Sequence, residues 1–197
     1  MTSTGEIVVV RHGQTEWSLS GQHTGVTDLP LLPEGETQAR ALRGPLAGRS
    51  FVEVRVSPRE RARRTAELAG LPTDTVDPDL VEVDYGRWEG RTTPEISAEL
   101  GRTWSLWTDG TEPGDTPGET LDEVAARCDR VLDRVRPLLA DGDVALVAHG
   151  HVLRILTARW LRLEPTAGAL FALHAGSFGT LGHEHDRPAL TGWNQAG

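Results

Sequence analysis

The 197-residue chain has no lysine; all 20 of its basic residues are arginine. No lysine Schiff base can form, which excludes aldolase-type and pyridoxal chemistry. Any anion site must be built from arginine, histidine or backbone N–H. Cysteine is nearly absent as well. The single Cys128 cannot make an internal disulfide, and a thiolate metal cluster is equally excluded. Long apolar runs are missing. The longest near the start is Ile7-Val8-Val9-Val10, too short for a bilayer span or for the apolar core of a signal peptide. No membrane partner is expected, and the cytoplasm is the expected compartment. Net positive charge is lacking too. A formal charge of −9 argues against nucleic acid as a partner.

What remains is an ordinary globular balance, 38% hydrophobic and 25% charged, with enough chain for a sizeable core. The length predicts one domain over residues 1–197. Strand and helix patterns alternate along it. Glu6–Val10, Val52–Ser57 and Asp143–Ala148 read as buried strands. Helices are expected over Glu34–Ala47, from Pro58 to Gly70, over Pro94–Leu100, over Thr120–Leu139 and from Val152 to Leu163. The Thr120 helix has an apolar stripe through Leu121, Val124, Cys128, Val131, Leu132, Val135 and Leu139, and Thr120 and Glu123 have capping-box spacing. Phe178–His183 and Ala189–Thr191 read as late strands, and Gly110–Gly118 as a surface loop. This order predicts a three-layer α/β/α sandwich with a mostly parallel central sheet.

Ligands of such sheets collect beyond the carboxyl ends of the strands. Three of those ends carry reactive residues: Arg11-His12-Gly13, Ser57-Pro58-Arg59-Glu60-Arg61 and His149-Gly150-His151. Between them in sequence lies Glu82-Val83-Asp84-Tyr85-Gly86. Arginine forks bind phosphate oxygens, and a neutral imidazole nitrogen is a nucleophile. Histidine, arginines and one carboxylic acid are what phosphoryl transfer without a metal requires.

Four ordered motifs add a resemblance. They are Arg11-His12-Gly13-Gln14-Thr15, Ser57-Pro58-x-x-Arg61-Ala62-x-x-Thr65-Ala66, Glu82-x-x-Tyr85-Gly86-x-Trp88-Glu89-Gly90 and Ala148-His149-Gly150. Together they resemble the histidine phosphatase superfamily, the phosphoglycerate-mutase-like family. The segments Gln14–Ser18 and Gly21–Gly25, Trp104-x-x-Trp107-x-x-Gly110 and His149-Gly150-His151-x-x-Arg154 look like a branch holding fungal sedoheptulose-1,7-bisphosphatase and some actinobacterial acid phosphatases.

The resemblance implies a histidine phosphatase fold and roles for five residues. His12 attacks phosphorus, Arg11 and Arg61 clamp the phosphoryl oxygens, and His149 donates a hydrogen bond to the transferring group. Glu82 protonates the leaving alkoxide and then acts as base toward water. Asp84 and Glu89 are the competing carboxylates. Keeping the acid form of Glu82 calls for an apolar neighbour or bound phosphate. Such enzymes often work best at acid pH. The substrate-binding candidates are Ser18, Thr24, Gly25, Tyr85, Gly150, His151 and Arg154. Many relatives carry asparagine where Ser18 stands. His23, Trp104 and Trp107 either line the leaving-group side or pack in the core. Arg154 either meets a second phosphate or makes a structural ion pair. Arg63 and Arg64 read as surface ion pairs, and Arg59 is undecided.

The expected function is that of a metal-independent phosphomonoesterase on small phosphorylated metabolites, of broad acid-phosphatase type, without cofactor. A dedicated sugar-bisphosphatase is the next reading. Assembly into a homo-oligomer is left open. Three other readings exist. His149-x-His151 and His183-x-His185 have spacing for a pair of metal ligands, but no cysteine cluster or His-Glu-x-x-His helix accompanies them. A phosphoglycerate mutase would use the same pocket; mutases of the family are usually longer, with an insertion and a C-terminal tail over the site. A non-catalytic binding module would lack the nucleophile, which is present here.

Overall fold

The computed structural model describes residues 5–73 and 75–197. A six-stranded sheet runs through the middle in the order β3-β2-β4-β1-β5-β6. Its strands are β1 (Ile7–Arg11), β2 (Phe51–Val56), β3 (Thr75–Val76), β4 (Asp143–Ala148), β5 (Ser177–Glu184) and β6 (Arg187–Ala196). The β1–β4, β4–β2 and β2–β3 pairs are parallel; β1–β5 and β5–β6 are antiparallel.

Strand alternation sorts the core into two layers. Ile7 and Val9 of β1, with Val144, Leu146 and Ala148 of β4, face α7 (Leu121–Val135) and α8 (Gly150–Trp160). Val8, Val10, Ala145 and Val147 face the other way, with Val54 and Val56, against Leu42, Leu46, Ala62 and Ala66. Those residues belong to or flank α2 (Pro33–Ala41), α3 (Arg43–Leu46) and α4 (Glu60–Leu68). This is the three-layer α/β/α arrangement.

Several boundaries differ from the sequence pattern, each for a local reason. The helix expected over Glu34–Ala47 breaks at Leu42 into α2 and α3. Pro45 has no N–H and its ring would strike the Ala41 carbonyl of a continuous helix. The helix from Thr120 stays α-helical only to Val135, then tightens to a 3-10 turn over Arg136–Ala140, where Pro137 removes another donor. The helix expected from Pro58 starts at Glu60, and that expected from Val152 starts at Gly150 and ends at Trp160. The late strands are longer than expected and form a hairpin. Two short helices give no periodic signal in the sequence: α1 (Glu16–Ser20) and α6 (Leu106–Asp109); α5 (Thr93–Leu100) lies just before α6. Among the described residues, no helix is long and apolar enough to cross a membrane.

Candidate active site

The strand order places three chain segments side by side. β1 and β4 pair through Arg11 and Ala148, and the His12 N–H continues the ladder to the Ala148 carbonyl at 3.0 Å. On the other flank the Ser57 N–H reaches the Val147 carbonyl at 3.0 Å. Ser57, His149 and His12 therefore emerge from adjacent strand ends. The His12 and His149 ring centroids are 5.2 Å apart.

The turn after β1 exists because two backbones nearly touch. A Cβ on Gly13 would meet the Gly35 carbonyl oxygen at 2.2 Å, and one on Gly35 would meet the Gln14 oxygen at 2.1 Å. The Gly13 N–H donates to Thr65 Oγ1 at 3.0 Å, which pins the turn to α4. The Gly13 carbonyl in turn lies 2.7 Å from His12 Nδ1. A carbonyl only accepts, so Nδ1 carries the ring proton and Nε2 keeps its lone pair. Burial first, then the Arg61 and Arg11 charges, hold the His12 pKa well below its ordinary value. The ring is thus a neutral imidazole with a free nitrogen.

Behind it, Arg61 is fully buried on α4. Its Nε donates to His149 Nδ1 at 3.1 Å, and its fork donates to the carbonyls of Thr27, Thr24 and Gly25. Asp28 lies 3.6 Å from Nη1. Because Arg61 can only donate, His149 Nδ1 accepts, and its Nε2–H donates to Ser57 Oγ at 2.7 Å. Both ring nitrogens of His149 are thereby engaged within the protein. Burial and then Arg61 hold its pKa well below the ordinary value too.

Glu82 reaches the site from the loop before Tyr85. Its carboxylate accepts from the backbone N–H groups of His151 (2.9 Å), Val152 (2.8 Å) and Val83 (3.0 Å). The first two are unpaired donors at the start of α8, where a carboxylate is favoured. The sequence called for an apolar neighbour or bound phosphate beside this group; the backbone N–H groups of Val83, His151 and Val152 stand against it. The competing carboxylates are occupied elsewhere. Asp84 accepts from Gly86, Thr116 and Gly118, tying down the loop over 110–118. Glu89 accepts from Gly25 and Thr27 and so shapes the loop that Arg61 grips.

These groups surround a cavity of about 150 Å³ lined by Arg11, His12, Ser18, Gly21, Gln22, His23, Thr24, Glu82, Tyr85, Gly150, His151 and Arg154. Of the sequence candidates, Arg61, His149 and Gly25 stand behind this wall rather than on it. Arg11 enters it with one donor spent on the Leu173 carbonyl at 2.6 Å, and its Nε is buried without a partner. Its guanidinium lies flat on Gly150: a Cβ there would be 3.2 Å from Arg11 Cζ. Ser18 faces the cavity, but its hydroxyl is folded back. It accepts from the Thr15 N–H at 2.8 Å and donates to the Thr15 carbonyl at 3.1 Å, in the capping box of α1. The Thr24 hydroxyl donates to the Gln22 carbonyl at 3.3 Å.

The far wall is made of rings. The sole tyrosine, Tyr85, shares a 2.6 Å hydrogen bond with His151 Nδ1. Its hydroxyl stays protonated, since burial and the charge of Glu82 raise its pKa well above the ordinary value. His23 stacks near Tyr85 at 4.8 Å, its pKa lowered by burial to about 4. His151 is likewise held well below the ordinary value by burial and the Arg154 charge. Trp104 is buried in the core against Trp88 and touches His23. Trp107 packs on His151 and lies 4.5 Å beneath the Arg154 guanidinium. Arg154 also donates to the carbonyls of Gly168 (3.0 Å) and Ala169 (3.1 Å). It makes no ion pair among the described residues, so the structural pair considered for it is absent.

Sequence reasoning did not single out Thr65, Gly35 or Glu89 as supports of the site. Thr65 and Glu89 lay within the quoted motifs; Gly35 carried no signal. Arg64 does pair with Glu36 and Glu67, and Arg59 has a buried Nε without partner. The two alternate-histidine pairs diverge. His149 turns to Ser57, His151 to Tyr85, His183 to Trp160 and His185 to Glu184. Among the described residues, no three His, Cys, Asp or Glu side chains gather as a metal site.

The family model of the histidine phosphatase superfamily (branch 1) matches residues 7–196. An acid phosphatase of Mycobacterium tuberculosis is 39% identical over 182 residues, covering 91% of this chain and 87% of the relative. A sedoheptulose 1,7-bisphosphatase of Saccharomyces cerevisiae is 37% identical over 190 residues, covering 81% of this chain and 69% of the relative. A solved structure of a Mycobacterium tuberculosis open reading frame superposes with a TM-score of 0.89 at 36% identity, covering 98% of both chains.

Proposed function

This chain belongs to the histidine phosphatase superfamily, and on that premise we propose that it hydrolyses phosphate monoesters of small metabolites through a phosphohistidine at His12, without a metal ion. The observation that carries this reading is the His12 tautomer. Its Nδ1–H is held by the Gly13 carbonyl, its Nε2 is unprotonated, and the ring borders the cavity beside Arg11 and Glu82.

The chemistry then follows from the residues in place. His12 Nε2 attacks phosphorus as the ester P–O bond breaks, and the leaving alkoxide takes the carboxylic proton of Glu82. Arg11 meets the charge that spreads over the non-bridging oxygens. The carboxylate left on Glu82 next takes a proton from water, whose oxygen attacks phosphorus. The N–P bond breaks, inorganic phosphate leaves, and His12 returns to its starting state. Arg61 and His149 act from behind the wall in this reading. A bound phosphoryl group would compete with the Thr24, Gly25 and Thr27 carbonyls for the Arg61 fork. Ser18, Thr24, Tyr85 and His151 would face the substrate, and Gly25 and Gly150 would let backbone and Arg11 approach it closely.

A second reading of the substrate rests on Arg154. It is a desolvated cation on the cavity wall that makes no ion pair among the described residues. That favours a leaving group with an acidic function of its own, such as the second phosphate of a sugar bisphosphate, over a neutral alcohol.

The test is rapid quench with ³²P-labelled substrate in chelator-treated buffer. An acid-labile, alkali-stable phosphoprotein that disappears in His12→Ala is the expected result. Phosphate release without such an intermediate, or no release at all, would overturn the reading. Transfer of label to a second metabolite instead of water would make the protein a mutase.

A further inference from the structure

Arg11 borders the catalytic cavity from the end of β1. Among the described residues its side chain has one hydrogen-bond acceptor, the Leu173 carbonyl at 2.6 Å. Whatever fixes that carbonyl fixes the aim of the guanidinium. The peptide that carries it joins Leu173 to His174. Its N–H points the opposite way, as in any trans peptide, and donates to Asn194 Oδ1 at 2.7 Å. A single peptide plane therefore links Arg11 on one side to Asn194 on the other. A backbone N–H can only donate, so the amide oxygen of Asn194 is the atom that faces it.

Asn194 reaches that peptide because β6 is irregular there. Phe178 pairs with Gln195 and Thr180 with Gly192, so Gly179 alone faces both Trp193 and Asn194. Such a bulge re-aims side chains. Asn194 takes a left-handed backbone, φ 52°, which asparagine tolerates better than most residues. Trp193 lies across Gly179, where a Cβ would come within 2.4 Å of its ring.

Both side chains turn back on one stretch of chain. The Trp193 indole N–H donates to the Ala172 carbonyl at 2.6 Å. Asn194 Nδ2 donates to His174 Nδ1 at 2.9 Å, and the Ser177 hydroxyl lies 2.9 Å from Asn194 Oδ1. Asn194 thus clasps the turn from His174 to Ser177 at both ends. That turn also meets the nucleophile, since the Gly176 N–H donates to the His12 carbonyl at 2.9 Å.

We propose that Asn194 is a positioning residue of the catalytic site, which sets the aim of Arg11 through the Leu173–His174 peptide. A hydrogen bond at one end of a peptide polarises the other, so Asn194 both holds the Leu173 carbonyl in place and strengthens its hold on Arg11. Asn194 is not among the residues that line the cavity. The inference rests on the reading of Arg11 as the group that meets charge on the phosphoryl oxygens.

The test is Asn194→Gly in the full chain. Glycine suits the left-handed backbone and removes the amide. His174 is exposed, so water takes up its freed N–H, and the melting temperature should fall by no more than about 4 °C. With nitrophenyl phosphate, kcat should fall about tenfold while KM changes less than about threefold. Inhibition by orthovanadate, a mimic of the pentacoordinate transition state, should weaken about tenfold. Asn194→Asp keeps the Oδ1 acceptor and should restore kcat to within about threefold of the parent. Asn194→Ser, whose hydroxyl falls one bond short of the His174 N–H, serves as the second loss variant. His174→Ala removes only the side-chain partner of Nδ2 and should be as active as the parent. Parent kcat in both loss variants would overturn the proposal. So would a loss confined to KM, or one that Asn194→Asp does not restore. Failure of the proposed reaction shows separately, as a parent that binds orthovanadate in calorimetry yet hydrolyses no ester. The inference is then decided by orthovanadate affinity, and equal affinity in parent and Asn194→Gly would overturn it. A parent that does not bind orthovanadate would overturn both.

Discussion

His12 Nδ1 lies 2.7 Å from the Gly13 carbonyl oxygen. That one contact fixes which ring nitrogen is free, and burial with two neighbouring guanidiniums keeps the ring neutral well below pH 6.5. The same holds for His149 and His151 through burial and the nearby arginines. A consequence for stability follows with a definite sign. These histidines have folded pKa values below their unfolded ones, so the unfolded chain binds more protons in acid. Their contribution is complete above about pH 6.5 and is lost as pH falls below it. The chain should therefore be less stable at pH 5.5 than at pH 6.5. Urea unfolding at the two pH values measures this. Equal midpoints would show that the rings are protonated in the fold.

Glu82→Gln separates the acid role from a structural one. Glutamine offers one acceptor oxygen where the carboxylate offers two, so either the His151 N–H or the Val152 and Val83 N–H groups lose their partner. Stability should fall by about 1–3 kcal/mol. The rate should fall on the order of 10²–10⁴-fold for alkyl phosphates and much less for nitrophenyl phosphate, whose leaving group departs without a proton. Equal losses of kcat/KM for both substrates would remove Glu82 from protonation of the leaving group, while a loss of kcat common to both reports its role as base toward water.

Gly150→Ala tests the stacking of Arg11 on the first residue of α8. The added Cβ would come within 3.2 Å of Arg11 Cζ, so the guanidinium must shift by a few tenths of an ångström. Alanine is the better helix former, so the melting temperature should hold or rise slightly. The value of kcat/KM should drop about tenfold, part of what removing a transition-state donor costs. A variant as active as the parent would mean that Arg11 does not need this face.

How much of this was readable beforehand depends on the kind of contact. His12 and Glu82 stand in dense local motifs, and the β-branched run before His12 announces a buried strand end. The two-faced core follows from the alternation of Ile7 and Val9 with Val8 and Val10. What the sequence did not show is what each side chain is already bonded to. Arg61 looks like a phosphate clamp by its motif, yet its fork is filled by carbonyls more than thirty residues away. The Ser18 hydroxyl likewise closes on Thr15. The Gly13–Gly35 backbone contact depends on a packing of α2 against the β1 turn that no spacing encodes. Short helices such as α1 and α6 span little more than one turn, too short for a hydrophobic repeat to recur, so only their capping residues mark them.

Arg154 decides between a broad phosphatase and one for doubly acidic substrates. Its guanidinium is stacked on Trp107 and held by two carbonyls, and it makes no ion pair among the described residues. Burial and the Arg11 charge both work against the cation there. An anionic group on the substrate would relieve both. Arg154→Ala should then lower kcat/KM for a sugar bisphosphate by about 100-fold, some 2.7 kcal/mol, and for nitrophenyl phosphate by less than about threefold. Arg154→Lys keeps the charge but loses the planar stack on Trp107, and should recover only part of the difference. If Arg154→Ala slows both substrates equally, the residue serves to hold Gly168 and Ala169 against α8, and specificity must come from the Tyr85, His151 and His23 wall instead.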